Sequence, residues 1–451
     1  MRHRSPRRRS PRALVAALGL ATVGVSGCGD WLKVTNPGAI EPPALEDSVY
    51  IGLMVNGVIG DFQPAFAWTA LFSGAFTDEL RNHHGFFENG EIDRRAVGEL
   101  NGTYLAAVYN GLHRARFMGD SVAGRLKALR GAAAASDLRL ARVLAYAGYA
   151  WVLLGEQMCE TPINRSAPVP WDQLLDSALA RFDEAIAVAG AAKTAAVLRA
   201  DSLGADSIAN FARVGAARAA LHKNDGPRAA AYAAAVTPAY GSEASKGFEF
   251  RAHYRDGATS AERRRYGNPF WEFMNAERWF SASGTPFDAL NRTDPRVPGE
   301  LRTTADGTTR LTPNSPQAFS TYNAALRNTD GSFAGGRFAA TSTMRVASAL
   351  EARYVIAEVE GLTPANLAFV NDRRAVGGDT ALAATITPAE YLAALRDQRR
   401  RDFFLDGHRM GDLRRYKRYY GIDEWPSGPY FGSTTVSYGT QECWPIPATE
   451  R

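Results

Sequence analysis

Only three of the 451 residues are cysteine and seven are histidine. That scarcity excludes a small disulfide scaffold and leaves little material for a metal centre. The one adjacent histidine pair, His83-His84, would diverge by about 100° on a helix and could not easily share a metal. No His-Glu-x-x-His, Walker loop or nucleophile elbow occurs, so no catalytic residue is assigned and no cofactor is implied. Beyond the N-terminal leader no stretch of 18 uninterrupted apolar residues exists, which leaves no candidate transmembrane helix. The charge of +5 and pI of about 9.1 arise from the first 27 residues. These hold six arginines (Arg2, Arg4, Arg7, Arg8, Arg9 and Arg12) and no acid. Residues 28–451 carry 46 basic and 47 acidic side chains, a balance that gives no electrostatic case for nucleic acid. With 45% hydrophobic and 22% charged residues, the chain has the composition of a large folded body rather than a disordered one.

The N-terminus reads as a targeting segment. The arginines lead into Ala13–Val25, thirteen uncharged and mostly apolar residues, too few for the roughly 20 that span a bilayer. Val25-Ser26-Gly27-Cys28 resembles the bacterial lipobox, an aliphatic residue and two small residues before a cysteine. The resemblance implies cleavage before Cys28 and acylation of Cys28, palmitate included, so that lipid anchors the chain to a membrane. Residues 28–43 contain Gly and Pro and read as a tether. Two cysteines remain. Thiols of an exported chain tend to pair, so a Cys159–Cys443 disulfide is expected, with two buried free thiols as the alternative.

Helical periodicity dominates two blocks. Leu105, Val108, Tyr109 and Leu112 share one face. Ala141, Leu144, Ala145, Gly148, Trp151 and Val152 form a second stripe, whose small residues allow close helix approach. A third runs from Leu175 through Phe182 and Ile186 to Ala189, and a fourth from Ile208 to Ala219. Lys223-Asn224-Asp225-Gly226 is a turn, and Pro227 suits a helix start. Helix, turn, helix is the tetratricopeptide unit, matched loosely here. A second block starts near Met344 and runs to Gly361. Thr363-Pro364 opens another helix, and Thr387-Pro388-Ala389-Glu390 is a capping box. Between the blocks Gly, Pro, Asn and Thr replace periodicity, which predicts an irregular subdomain packed on the helices. The expected fold is mainly α: tetratricopeptide-like helix pairs with a large irregular, loop-rich insert. The divisions are a signal (1–27), a tether (28–43), an N-terminal helical part (44–235), an irregular insert expected to bind ligand (236–343) and a C-terminal helical part (344–451), the helical parts and insert packed as one domain.

Residues 398–416, Gln-Arg-Arg-Arg-Asp-Phe-Phe-Leu-Asp-Gly-His-Arg-Met-Gly-Asp-Leu-Arg-Arg-Tyr, resemble the C-terminal signature of the SusD/RagB family. Gly407, Arg409, Asp412, Leu413 and Arg415 match it, while Gln398, Asp402 and Asp406 stand where glutamates are usual. Val370-Asn371-Asp372-Arg373-Arg374-Ala375, the helix at Glu351–Glu358, Asp294-Pro295-Arg296 and Trp444-Pro445-Ile446-Pro447 are similar to further family motifs in the same order, as is Lys33-Val34-Thr35-Asn36-Pro37 after the lipobox. The interleaved acids and bases of the signature read as a paired-charge corner between two helices, with Asp412 three residues from Arg409 and Gly407 at the turn.

The resemblance implies an outer-membrane lipoprotein facing the cell exterior. It would bind an oligosaccharide or another nutrient without cleaving it, and pass it to a TonB-dependent, SusC-like barrel transporter. A helical-repeat glycoside hydrolase and an envelope scaffold that binds proteins are the alternatives. A sugar site needs exposed rings on loops held by a rigid body. Two ring-bearing segments qualify, giving His83, Phe86 and Phe87 from the first and Tyr266, Trp271, Trp279 and Phe280 from the second as candidate ligand contacts. Each ring has interior packing as its competing role. Trp68, inside the apolar stretch Phe62–Phe76, reads as core.

Overall fold

A computed structural model of the chain describes residues 45–270, 273, 280–282, 284–290, 294–297, 300–303, 309–312, 341–430 and 433–451. Cys28 and the tether, together with Trp271 and Trp279, lie outside the described residues. The chain divides into two units, 1–50 and 51–451. In the first, the described residues include a short turn of 3-10 helix at Ser48–Tyr50.

The second unit begins with α1 (Ile51–Phe76), whose residues are apolar almost all round, so it is buried along most of its length. A short α2 (Phe87–Asp93) follows. The chain then enters α3 (Asn110–Arg130) through a helical turn (Gly102–Tyr104) and a π segment (Leu105–Tyr109). Next come α4 (Leu138–Gln157), α5 (Trp171–Ala195), α6 (Arg199–His222) and α7 (Gly226–Ala234). Asp225 caps α7 by accepting the Arg228 N–H at 3.2 Å. Consecutive helices pack on one another from α3 to α7, and α1 packs on α3 and α4. This array is the helix-pair architecture that the stripes predict.

The periodicity of α4 understates its burial. Leu140–Gln157 is buried on every side except at Arg142, because α3, α5 and α6 all pack against it. Close approach requires the small residues. A Cβ on Gly148 would lie 2.5 Å from the Phe182 ring, and one on Gly215 would lie 2.3 Å from the same ring. Phe182 of α5 is thus held between α4 and α6. Ile186 of the third stripe is only half-buried.

The C-terminal block contains α9 (Ala349–Glu360), α10 (Pro364–Val376), α11 (Pro388–Asp402) and α12 (Arg409–Arg415), with α8 (Ser260–Tyr266) in the insert. α9 packs on α7 and so extends the array. Thr387 and Glu390 form the expected capping box of α11. One expectation is corrected: the helix does not start near Met344. Met344–Ser348 is a strand, antiparallel to Glu249–Ala252. Met344, Val346, Ala347 and Ser348 are buried and only Arg345 is half-buried, so the strand is covered on both faces apart from that position. Ser348 then caps α9 by accepting the Glu351 N–H.

The insert is tied to the helices by such short ladders. Phe280–Ser281 pairs with Arg81–Asn82, whereas Glu300–Thr303 pairs antiparallel with Thr309–Thr312 within the insert itself. At the other end, Cys159 and Cys443 form a disulfide with Cα atoms 5.5 Å apart. Next to it the Trp444 indole donates to Gln157 Oε1 at 2.9 Å and stacks on Tyr104 with centroids 4.8 Å apart. No helix among the described residues is long and apolar enough to cross a membrane.

The signature folds into a buried charge network. Asp412 accepts from Arg399 Nε at 2.8 Å and Arg415 Nη1 at 2.7 Å. Asp402 accepts from Arg373 at 2.9 and 2.6 Å and from the Tyr354 hydroxyl at 2.5 Å. The pairing expected between Arg409 and Asp412 is corrected. Arg409 reaches across to Asp78, with both bonds at 2.7 Å, while Asp412 is engaged by Arg399 and Arg415. Gly407 turns the chain at φ 75°, beside Leu405 at φ 59°. The Leu405 N–H is held by Glu79 Oε1 at 2.8 Å.

Glu79 is fully buried, and burial raises its pKa from 4.5 to about 8. Its folded value exceeds its unfolded value, so stability falls as pH rises from about 4.5 to about 8. Glu79→Gln keeps an acceptor for Leu405 and removes the ionisation. It is expected to gain roughly 3–4 kcal/mol over the parent at pH 8 relative to pH 5. Urea midpoints of both proteins at the two pH values check this. An unchanged difference would show that Glu79 does not titrate in that range.

Candidate ligand cleft

Four segments of the second unit meet around a cleft of about 540 Å³, within the size range of small-ligand sites. Pro64, Trp68 and Phe72 of α1 recur at i, i+4 and i+8 and line one wall as a stripe. Thr103, Ala106, Ala107, Asn110, Gly111 and Arg114 line the opposite wall. This second wall contains the π segment, a helix irregularity often found at functional sites. Its small side chains leave the space open. Phe86 and Asn89 close one end, and Arg264, Arg265 and Phe273 come from the insert.

The floor is aromatic. Trp68 is half-buried, stacked on Phe72 at 5.8 Å and edge-on to Phe273 at 5.1 Å. Its indole N–H donates to the Arg264 carbonyl at 3.3 Å, which ties α8 to the floor. Phe86 is 44% exposed at the lip. Asn89 is fully buried, and neither its amide oxygen nor its nitrogen has a partner among the described residues. Such an orphaned amide is costly without a bond from water or a ligand. Just behind Thr103, Glu88 accepts from the Gly102 and Thr103 N–H groups at 3.0 and 2.7 Å and from the Thr103 hydroxyl at 2.6 Å. Partial burial alone would raise its pKa, but these bonds hold it below the usual value.

The sequence-selected residues divide. Phe86 lines the cleft. His83, on the preceding loop, and Phe87, the first residue of α2, are exposed and lie outside the lining. Tyr266 also lies outside the lining; it is half-buried with the Arg255 guanidinium 4.0 Å from its ring centroid. Phe280 is corrected: it is 1% exposed and packs edge-on to Phe72 at 5.8 Å, so it braces the floor from behind. Trp68 is corrected in the other direction, from core to cleft wall. Its half-burial could not be read from a local run of apolar neighbours. Asn89 and Phe273 belong to the two ring-bearing segments, although neither is among the ligand contacts selected from them. No cluster of three or more metal-ligating side chains occurs among the described residues.

A second cavity of about 290 Å³ lies between the insert and the C-terminal helices. It is lined by Arg296, Arg345, Arg373, Asp402 and Asp406 among others. These guanidiniums are engaged by carboxylates, Arg345 with Asp406 at 2.6 Å, Arg296 with Asp294 at 2.6 Å and Arg373 with Asp402 at 2.6 Å. Its chemistry is that of the structural network, and the aromatic cleft is the better ligand site.

No protein-family model matches the chain, and no curated protein matches it in sequence. Solved structures do. A SusD-like carbohydrate binding protein from Bacteroides fragilis superposes with a TM-score of 0.60 at 12% identity, covering 90% of this chain and 98% of that one. A SusD superfamily protein from Bacteroides vulgatus gives 0.59 at 14% identity, covering 89% and 96%. A SusD/RagB family protein from Bacteroides thetaiotaomicron gives 0.54 at 15% identity, covering 81% and 87%. At 12–15% identity the likeness is one of fold, and the chain has the fold of these SusD superfamily structures.

Proposed function

We propose that this chain is a SusD-like binding protein that captures an oligosaccharide in the aromatic cleft and releases it unaltered. The observation that carries the reading is the half-buried Trp68, with Phe72 and Phe273 beneath it and Phe86 at the lip. Pyranose C–H faces stack on such rings, and the Asn89, Asn110 and Thr103 side chains supply polar contacts of the kind hydroxyls need. Two structural neighbours are described as SusD-like carbohydrate binding proteins, which supports the ligand class. Glycoside hydrolysis needs two carboxyl groups flanking the bond, and the described lining contains none. In the proposed role, acylated Cys28 tethers the protein to the outer membrane on its outer face, and a SusC-like TonB-dependent barrel receives the ligand.

A glycan array followed by calorimetry on the glycans bound tests the binding role. Trp68→Ala is expected to weaken affinity about tenfold, about 1.4 kcal/mol, with the helical circular dichroism unchanged. Equal affinity in the mutant would remove the cleft from consideration. Affinity purification of the acylated protein from membranes tests delivery: a stoichiometric barrel transporter supports it, and an assembly machine in its place points to a scaffold.

A further inference from the structure

A separate cleft of about 510 Å³ opens between α1, α4, α6 and the strand Glu249–Ala252. It shares no described lining residue with the aromatic cleft, and α1 contributes Ile59 and Gln63 here instead of Pro64, Trp68 and Phe72. α4 contributes Arg142 and Tyr146, one turn apart and so on one face. Arg142 is the single residue between Leu140 and Gln157 that escapes full burial. Its half-buried guanidinium forms no ion pair and no hydrogen bond among the described residues. Tyr146 is 5% exposed, and its hydroxyl also lacks a hydrogen-bond partner among the described residues. A buried polar group left without a partner is costly. Burial pushes the Tyr146 hydroxyl up to about 12, while the charge of Arg142 pulls it down. The hydroxyl therefore stays protonated, and a donor, at any physiological pH. The acids at this end of the helices are committed elsewhere. Asp137 pairs with Arg130 at 3.0 Å and Arg139 at 2.7 Å, and Asp206 with Lys193 at 2.8 Å. Glu249 is the one carboxylate of the described lining, and Arg251 engages it.

We infer that this cleft is a second binding site, which takes a small organic carboxylate between Arg142 and Tyr146. A carboxylate accepts two parallel N–H bonds from a planar guanidinium fork, and its remaining lone pairs suit the Tyr146 hydroxyl. Ser207, on α6, lines the facing side and offers a further hydroxyl. Phe250 is half-buried and held by stacking on Phe211 with centroids 4.0 Å apart. With Ile59 it gives the carbon skeleton of the ligand an apolar wall. With Arg251 set against Glu249, Arg142 leaves one positive charge to be matched. A monoanion matches it, whereas a phosphate dianion would bring surplus negative charge beside Glu249. The site stands on its own residues and does not depend on sugar binding in the aromatic cleft.

The test titrates two series of small acids into the intact protein by calorimetry: hexuronates and N-acetylated amino acids, each against its own methyl ester. At least one acid is expected to bind about tenfold tighter than its ester. Arg142→Gln should abolish that difference. Tyr146→Phe removes only the hydroxyl and should weaken the acid by about tenfold. Trp68→Ala should leave acid binding unchanged. Thermal melting checks that each mutant is folded, and Tyr146→Phe carries the test alone if Arg142→Gln is not. Esters binding as tightly as acids, or an acid whose affinity survives both α4 substitutions, would overturn the inference. So would failure of every acid in both series. An acid lost on Trp68→Ala but kept in Arg142→Gln would belong to the aromatic cleft and overturn it too. Each of these failures leaves oligosaccharide capture in the aromatic cleft to its own test.

Discussion

Replacing Asp412 by Asn is expected to destabilise the protein by about 3–5 kcal/mol, the cost of stranding a buried charge whose partner has been neutralised. Here one carboxylate serves two guanidiniums, Arg399 and Arg415, all three residues being at most 3% exposed. Arg415 keeps Glu358, at 2.9 Å through both donors, but Arg399 has no second carboxylate among its hydrogen bonds to described residues. Burial alone would raise the Asp412 pKa, yet the two cations hold it far below the usual carboxylate range. Its folded value is therefore depressed. The stabilisation is complete above about pH 4, and it is lost progressively as pH falls below that. Denaturant titration of parent and Asp412→Asn at pH 7 and pH 3 should show a large difference at neutral pH that narrows in acid. Equal stability at pH 7 would mean that the corner tolerates an uncompensated guanidinium.

Phe182→Ala should cost about as much, 3–5 kcal/mol, by a different route. The ring is fully buried and wedged against Gly148 and Gly215, with Tyr149 edge-on at 5.2 Å. Both glycines leave backbone facing the space the ring would vacate, so collapse around the void is restricted. Gly215→Ala in the parent should also destabilise, by about 1–3 kcal/mol through overpacking. Combining the two changes should cost less than their sum, because the new methyl enters the space the ring has left. A strictly additive double mutant would show that ring and glycine do not press on each other.

These two sites also mark what the chain reveals in one dimension. The stripe through Leu175, Phe182 and Ala189 and the small residues at Gly148 and Gly215 are local periodicities, so helix pairs and their close contact can be read directly. The capping box at Thr387 is legible for the same reason. Non-local pairing is not. The strand at Met344–Ser348 looks like a helix start until its partner, Glu249–Ala252, is placed beside it. Arg409 finds Asp78 across 331 positions, although an acid lies three residues away. At the cleft, Phe86 was legible because it sits in a polar, turn-rich loop. Trp68 was not, because apolar neighbours in sequence say nothing about which side of a helix meets solvent. Phe280 failed in the opposite sense: an irregular stretch can still deliver a ring to the interior.

The π segment at Leu105–Tyr109 has an evolutionary corollary. It holds one residue more per turn than a regular helix, so it acts as an insertion that changes no neighbouring element. A relative with an unbroken helix here would align with a one-position gap. Its counterparts of Asn110 and Arg114 would then point about 100° away from where they point in this protein. Gain or loss of a single codon could thus exchange the side chains offered to a ligand while every packed helix stayed in place.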